Sequence, residues 1–360
     1  MNDNLRFAAQ EALHLGKLAR VRAGYAGSRR PQAVFVYDMA VSAPGFGNFL
    51  VFCLLARFYQ LRGVTTRLVV VDDGDLREDI AVLGTEAVDH FRARIEQYEQ
   101  IAALASVPDR WEFERTSFAD FRAWREGLVG RRGQFPSVRD QDRRTIAYVH
   151  TWGMLEHGLR RGPASVRDRF PLRPEQAMRI GVELPEEPYA AVGVRADSFV
   201  PDGRDIHEDE LRDQVELVAS RFPGLPIYVI SDADGTTAAR EWLAGDDRVV
   251  FALDSYEGYA AHSALCLGAS FFVQLRGGGL CVAPMWSRIP WYLSAAHSNE
   301  GTRWVVRGLA ENGPGWRTPG GHPATTWRGE SDRWRESLAA FLDDVASSAG
   351  NRLPTAPSAT

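Results

Sequence analysis

Residues Pro226–Gly245 read PIYVISDADGTTAAREWLAG, and this stretch decides the fold. The run from Ile227 to Ile230 is apolar without polar alternation, the mark of a strand buried on both faces. Ser231–Asp232–Ala233–Asp234 are turn and helix-start residues. The segment from Thr236 then has a helical composition and stops at Gly245, a residue that ends helices without steric strain. A buried strand leading through a short loop into a helix is half of a βαβ unit. The pattern predicts a strand over Pro226–Asp232 and a helix ending at Gly245.

The same alternation extends in both directions. Downstream, RVVFAL, SFFVQL and IPWYLS read as strands, SYEGYAAHSALCLGA as a helix, and SDRWRESLAAFLDDVASS as a terminal helix. Upstream, Tyr189–Ala196 reads as a strand and HEDELRDQVELVASRFP as a helix with the acidic first turn that the helix dipole favours. The first half repeats the scheme. Ala33–Tyr37, Arg67–Val71 and Trp111–Glu114 are strands. Asn48–Gly63 and Thr85–Leu104 are helices, the second with Thr85 as cap. SFADFRAWREGL is a short helix, and the segment from Thr145 starts as a strand and continues as a helix. Between the halves, prolines, arginines and acids crowd together with a short helix near Pro174–Met178. These readings give an N-terminal α/β domain over 1–160, a passage over 161–188, a second α/β domain over 189–330, a terminal helix over 331–349 and a disordered tail over 350–360. Alternating strands and helices imply parallel sheets covered on both faces. The expected architecture is two doubly wound, Rossmann-like domains facing across a cleft.

Composition narrows the function. A formal net charge of −5 argues against nonspecific nucleic-acid binding. Lys17 is the only lysine, so nearly all positive charge is arginine. Cys53, Cys266 and Cys281 show no paired spacing and sit in apolar stretches, as reduced thiols of a cytoplasmic protein do. No apolar run approaches the roughly 20 residues of a membrane span, and the N-terminus lacks a secretory pattern. Its first 30 residues are basic and amphipathic, which suits either a helix packed on the first domain or one lying on a membrane surface. The polar, basic stretch 127–144 reads as a surface excursion or an acceptor-binding lid.

Open α/β sheets bind ligands beyond the carboxyl ends of their strands, so the residues placed there are the candidates. After the first strand, Gly45, Gly47 and Asn48 form either a plain turn with Asn48 as cap or an anion site at a helix N-terminus. No GxGxxG or P-loop pattern follows, which disfavours a dinucleotide or P-loop enzyme. Arg195 follows its strand directly, with Asp197 two residues on. A guanidinium there can grip a diphosphate bidentately, or the two residues can pair to fix the loop. Asp232 and Asp234 cap the next helix or bind a base or ribose. Asp254 and Ser255 open the following helix, with Ser255 as its cap, and His262 within it reads as a satisfied, partly buried histidine. Last come Gln274, Arg276 and Gly277–Gly278–Gly279. Without Cβ atoms, backbone can approach a pyrophosphate closely, and a helix N-terminus beyond adds positive potential.

This order of strand ends resembles the donor domain of GT-B glycosyltransferases, in particular the fucosyltransferase-like branch of bacterial α1,6-fucosyltransferases and protein O-fucosyltransferases. The likeness covers Tyr189–Leu293. Arg195 matches the first arginine of that branch's His-x-Arg-Arg-x-Asp motif. Gly193 stands at the histidine, the paired arginine is missing, and Gly277–Gly279 replace a serine-rich loop. The resemblance implies transfer of a sugar from a nucleotide-diphosphate sugar to a carbohydrate or glycoconjugate acceptor, with no cofactor and no bound metal. It implies that Arg195 and the glycine amides stabilise the leaving diphosphate, that the acceptor enters near Gly45–Asn48, and that Asp38, Asp72 or Asp197 serves as base. An epimerase or hydrolase of nucleotide-sugars and a noncatalytic nucleotide- or glycan-binding protein are the alternatives.

Overall fold

The computed structural model describes residues 32–39, 45–72, 84–117, 119–120, 123, 137–139, 146–149, 171–196, 205–275, 279–294 and 334–349. The chain divides into two compact units, Met1–Gly158 and Leu159–Thr360. Each is built on its own five-stranded sheet.

The first unit contains β1 (Gln32–Asp38), α1 (Phe46–Gln60), β2 (Thr65–Val71), α2 (Thr85–Ala93), a 3-10 turn (Arg94–Gln97), α3 (Tyr98–Ala105), β3 (Trp111–Thr116), β4 (Ser137–Arg139) and β5 (Ile146–Val149). The strand order is β3-β2-β1-β5-β4. The first four of these pair in parallel, and β4 joins β5 antiparallel. The sequence placed no strand in 127–144, so β4 is a correction. A three-residue edge strand needs only the free backbone groups of its neighbour and leaves little mark in the side-chain pattern. The predicted long helix is three consecutive pieces, and Gly84, not Thr85, is its N-cap residue. The amphipathic N-terminal segment, most of SFADFRAWREGL, the helical continuation after β5 and the tail lie outside the described residues.

Both faces of β1 are buried, with Phe35 and Tyr37 on one and Val34 and Val36 on the other. Phe35 and Tyr37 meet Phe52 edge-on, Tyr37 also meets Phe49, and Phe49 stacks on Tyr98 at 4.0 Å between centroids. Some polar groups buried beside these rings are matched, as their desolvation requires, although the Tyr98 hydroxyl has no hydrogen-bond partner among the described residues. Arg57 donates to the Ala105 carbonyl (2.9 Å), and Gln60 donates to Thr66 Oγ1 (2.7 Å) and accepts from Val107 N–H (2.7 Å). These bonds tie α1 to β2 and to the end of α3.

The second unit opens with a 3-10 helix (Pro174–Ile180) and continues with β6 (Ala190–Gly193), α4 (Glu208–Arg221), β7 (Ile227–Ile230), α5 (Ala233–Trp242), β8 (Val249–Phe251), a 3-10 turn (Ala252–Asp254), α6 (Gly258–Gly268), β9 (Phe271–Leu275), a 3-10 turn (Gly279–Cys281), α7 (Val282–Met285), β10 (Trp291–Ser294) and α8 (Trp334–Ala349). Its order is β10-β9-β6-β7-β8, with every pairing parallel. Counted along the chain, that is 3-2-1-4-5 read from β8, the arrangement of a doubly wound dinucleotide-fold sheet without its sixth strand.

Side-chain alternation sorts the two faces. Ala190, Val192, Ile227, Val229, Phe271, Val273 and Tyr292 pack with α4, α5 and α8 in one apolar core. The alternate residues face α6, and Tyr189, of the same parity, donates its hydroxyl to the Leu265 carbonyl at 2.7 Å. Helices α4 and α8 run side by side in the same direction, joined by ion pairs Asp213–Arg335 and Arg221–Asp343. All three cysteines are buried and free.

Candidate functional site

In the second sheet the strand order reverses between β6 and β9. They pair in parallel, with Gly193 opposite Gln274, yet the chain leaves them toward opposite edges. Outside the carboxyl ends of two such strands lies the usual ligand crevice of an open α/β sheet. Arg195 follows β6 by two residues, and the glycine run begins two residues after Leu275, the last of β9. The fold therefore sets side by side the two strands that precede Arg195 and Gly279 in the chain. Asp197, Arg276, Gly277 and Gly278 lie outside the described residues.

Arg195 extends the β6 strand end. Val194 N–H donates to the Ile230 carbonyl (2.9 Å), and the Arg195 carbonyl accepts from Ile206 N–H (2.8 Å). The Arg195 side chain is 17% exposed, with Nε 3.5 Å from Asp205 Oδ1. The sequence offered a pair with Asp197 as one option; Asp197 lies outside the described residues, and among those described Asp205 pairs with Arg195. Pairing through a loop closure leaves no local spacing to read.

At the end of β7, Ser231 Oγ donates to the Val194 carbonyl (3.1 Å), linking the two strand ends. Asp232 caps α5 by accepting from Gly235 N–H (3.1 Å), the capping role the sequence offered as one option. Gly235 is required there, because a Cβ would sit 2.0 Å from Ser231 Oγ. Asp232 and Asp234 are both exposed.

Asp254 closes the turn after β8 and pairs with Arg240 of α5, both well exposed. Ser255 does not cap α6. The helix starts at Gly258 with Glu257 at its N-cap, because a 3-10 turn and Gly258 (φ 84°) carry the reversal first. His262 of α6 is 5% exposed, with Nε2 2.9 Å from the Tyr256 carbonyl. A carbonyl only accepts, so Nε2 carries the hydrogen. Burial pushes the imidazole pKa below 6.5, against smaller raising effects of that carbonyl and of Asp232. His262 is thus the satisfied histidine expected.

Gln274 is 1% exposed. A Cβ on Gly193 would lie 2.9 Å from Phe272 Cζ and 3.2 Å from Gln274 Cδ. Phe272 and Gln274 thus fill the space that a side chain at position 193 would need. Gln274 Oε1 is buried with no hydrogen-bond partner among the described residues. Gly279 is exposed, and its carbonyl accepts from the buried Tyr259 hydroxyl at 2.6 Å. Nothing in the sequence pointed to Tyr259. The helix expected beyond the glycines is a 3-10 turn followed by the four-residue α7, too short for a substantial dipole. Any anion grip there falls to individual backbone N–H groups.

In the first unit the order reverses between β1 and β5, and Asp38 ends β1 at 6% exposure. Asp72, after β2, is held by Arg115 Nε at 2.5 Å, and Arg115 also donates to Glu96 at 2.8 Å. Those bonds, that to Asp72 foremost, raise the pKa of Arg115. Gly45 is the N-cap residue of α1, Gly47 is buried in the first turn, and Asn48 is the third helical residue and not the cap. The first turn of α1 has no acidic residue and, among the described residues, no side-chain cap. Among the described residues no three His, Cys, Asp or Glu side chains group to hold a metal ion, and no helix is long and apolar enough to cross a membrane.

No protein-family model matches the chain, and no curated protein matches it. Among solved structures, it is similar to the E. coli heptosyltransferase WaaC with ADP at 14% identity and a TM-score of 0.37, over 73% of this chain and 86% of that one. It is similar to the spinosyn forosaminyltransferase SpnP at 11% identity and a TM-score of 0.35, over 88% of this chain and 93% of that one. A third, the glycosyltransferase SnogD from Streptomyces nogalater, gives 11% identity and a TM-score of 0.33, over 88% and 95% of the two chains. The fold described above rests on this chain's own strand order and not on these likenesses.

Proposed function

We propose that this chain is a glycosyltransferase that moves a sugar from a nucleotide-diphosphate sugar to a hydroxyl acceptor. The observation that supports the reading is the order reversal between β6 and β9, the two strands that precede Arg195 and Gly279 in the chain. A guanidinium and unshadowed backbone amides are the groups that grip a diphosphate. They stabilise the charge that grows on it as it leaves.

In the proposed reaction the acceptor oxygen attacks the anomeric carbon. The bond from that carbon to the diphosphate oxygen breaks, the bonding pair leaves with the nucleoside diphosphate, and the acceptor proton passes to a carboxylate. Of the three carboxylates the sequence offered, Asp72 is engaged by Arg115, Asp38 is buried at the end of β1, and Asp197 lies outside the described residues. The acceptor side of the proposal is the carboxyl end of β1 and the start of α1, with Gly45, Gly47 and Asn48. A single displacement of this kind inverts the anomeric centre.

The test is a thermal-shift screen of the whole chain against ADP, GDP, UDP, dTDP and CMP. A nucleotide at a hundredfold excess over its Kd stabilises the native state by about 2.7 kcal/mol. The expected result is one nucleotide that raises the melting temperature, with the rise lost in Arg195→Ala. Absence of a shift with all five sinks the proposal. A second reading, a noncatalytic nucleotide- or glycan-binding protein, is favoured by the protein partners that Arg195 and Asp254 already have. Nucleotide binding without turnover of any nucleotide-sugar, to acceptor or to water, selects it.

A further inference from the structure

Buried polar atoms are almost always paired, because an unpaired acceptor forfeits its bonds to water. Gln274 breaks that rule at the place in the second sheet where a ligand is expected. It is the fourth of five residues of β9, directly opposite Gly193, the last residue of β6. Its side chain lies over the glycine, 3.2 Å from where a Cβ would be, and its residue exposure is 1%. Apolar neighbours surround it on the same strands: Phe272 precedes it on its face, and Leu293 is its register partner on β10. A leucine or methionine would fill the same volume without an orphaned oxygen. The polar choice adds nothing to packing and leaves an acceptor one residue inside the carboxyl edge.

We propose that Gln274 Oε1 accepts a hydrogen bond from a hydroxyl of the bound ligand. This rests on the reading of the reversal point as a nucleotide-sugar site. The Arg195 guanidinium is a donor and suits the phosphate oxygens. Gln274 Oε1 is an acceptor and suits what adjoins the diphosphate on either side, a ribose hydroxyl or a hydroxyl of the sugar. Removal of an acceptor that meets only ligand leaves the free protein as stable as before or more so, and weakens binding.

The experiment compares the wild-type chain with Gln274→Leu and, as a second apolar replacement, Gln274→Met. Melting temperatures without ligand are measured first. Kd values follow by calorimetry for the nucleoside diphosphate that gives the largest shift, its 2′-deoxy analogue, and the matching nucleoside diphosphate–glucose. The expected result is an unchanged or raised melting temperature and a Kd at least tenfold weaker. If the ribose supplies the hydroxyl, the loss is the same for diphosphate and conjugate; it is absent for the 2′-deoxy analogue when the 2′-hydroxyl is the donor and present there when the 3′-hydroxyl is. If the sugar supplies it, only the conjugate loses affinity. A melting temperature lowered in both variants shows that Gln274 has a structural partner and overturns the inference. Unchanged Kd values for all three probes overturn it as well, and assign the acceptor to a buried water. Failure of every nucleotide to bind the wild-type chain is a different result and overturns the functional reading on which this one rests.

Discussion

The two units share a plan and differ in how they fill it. Each is a five-stranded sheet with its first strand in the centre and its order reversing beside that strand. In the first unit, large rings bridge sheet and helices: Phe35, Tyr37, Phe49, Phe52 and Tyr98 meet edge-on or stacked. In the second, small residues let elements approach closely. Helix α6 buries Ala260, Ala261 and Ala264, and Gly193, Gly235 and Gly268 each lie where a Cβ would come within 3 Å of a neighbouring side chain. Both units bury large rings and are exposed to loss of volume, but among the described glycines the only ones that meet a side chain within 3 Å of a Cβ are in the second unit, so the second is exposed to gain of volume as well. The same difference bears on the sites: close approach brings the ends of β6, β7 and β9 into direct hydrogen-bond and packing contact.

Phe49→Ala tests the first half of this contrast hardest. Removing a fully buried ring that stacks on Tyr98 costs about 3–5 kcal/mol. Urea unfolding reads it, and a loss below about 1 kcal/mol would show that the aromatic cluster does not hold the unit together. Gly268→Ala tests the other half with a smaller effect. Alanine gains about 1 kcal/mol over glycine in a helix. Here its Cβ would meet Tyr189 Oη at 2.6 Å and Leu184 Cδ1 at 2.8 Å. The Tyr189 hydroxyl is anchored to Leu265, so it cannot give way freely. Overpacking costs typically 1–3 kcal/mol, so the net change is a destabilisation of at most about 2 kcal/mol; a stabilised variant would remove close approach as the second unit's principle.

The smallest effect is a pH dependence, confined to the second unit. The folded pKa of His262 lies below its unfolded value of 6.5, because burial disfavours the imidazolium. Above pH 6.5 both states are neutral and the group is indifferent. As pH falls below 6.5 the unfolded state takes up a proton that the folded state resists, so stability drops until the folded pKa is passed. In His262→Gln, whose amide nitrogen can still donate to the Tyr256 carbonyl, melting temperature should fall less between pH 7 and pH 5 than in the wild type. An identical fall in both proteins would assign the acid sensitivity to other groups.

The parallel strands were legible because burial on both faces forces continuous apolar runs such as IYVI and FFVQL, a signal local to a few residues. Arg195 and the glycine run could be placed at strand ends for the same reason. What escaped depends on partners distant in the chain or on backbone alone. β4 is three residues held by β5. Asp205 meets Arg195 across a loop closure, Tyr259 reaches Gly279 from another helix, and the acceptor of Gln274 is visible only once Gly193 stands opposite. Ser255 and Asn48 were misplaced as caps because both helices begin a few residues away from where composition put them. Strain-free turns such as the one at Gly258 shift a helix start without altering its apolar pattern.

Helix α8 has a consequence for synthesis. Trp334, Leu338, Phe341, Leu342 and Val345 belong to the same apolar core as β6 and α4, which are made more than a hundred residues earlier. Domains generally fold as units while the chain emerges, N-terminal part first. The first unit can finish its sheet while the second is still being made, whereas the second waits, with one sheet face partly bare, for α8 to leave the ribosome. The molecule is most vulnerable to chaperone capture or aggregation in that interval, and a ribosome stalled short of Trp334 would release a chain with one unit complete and the other open.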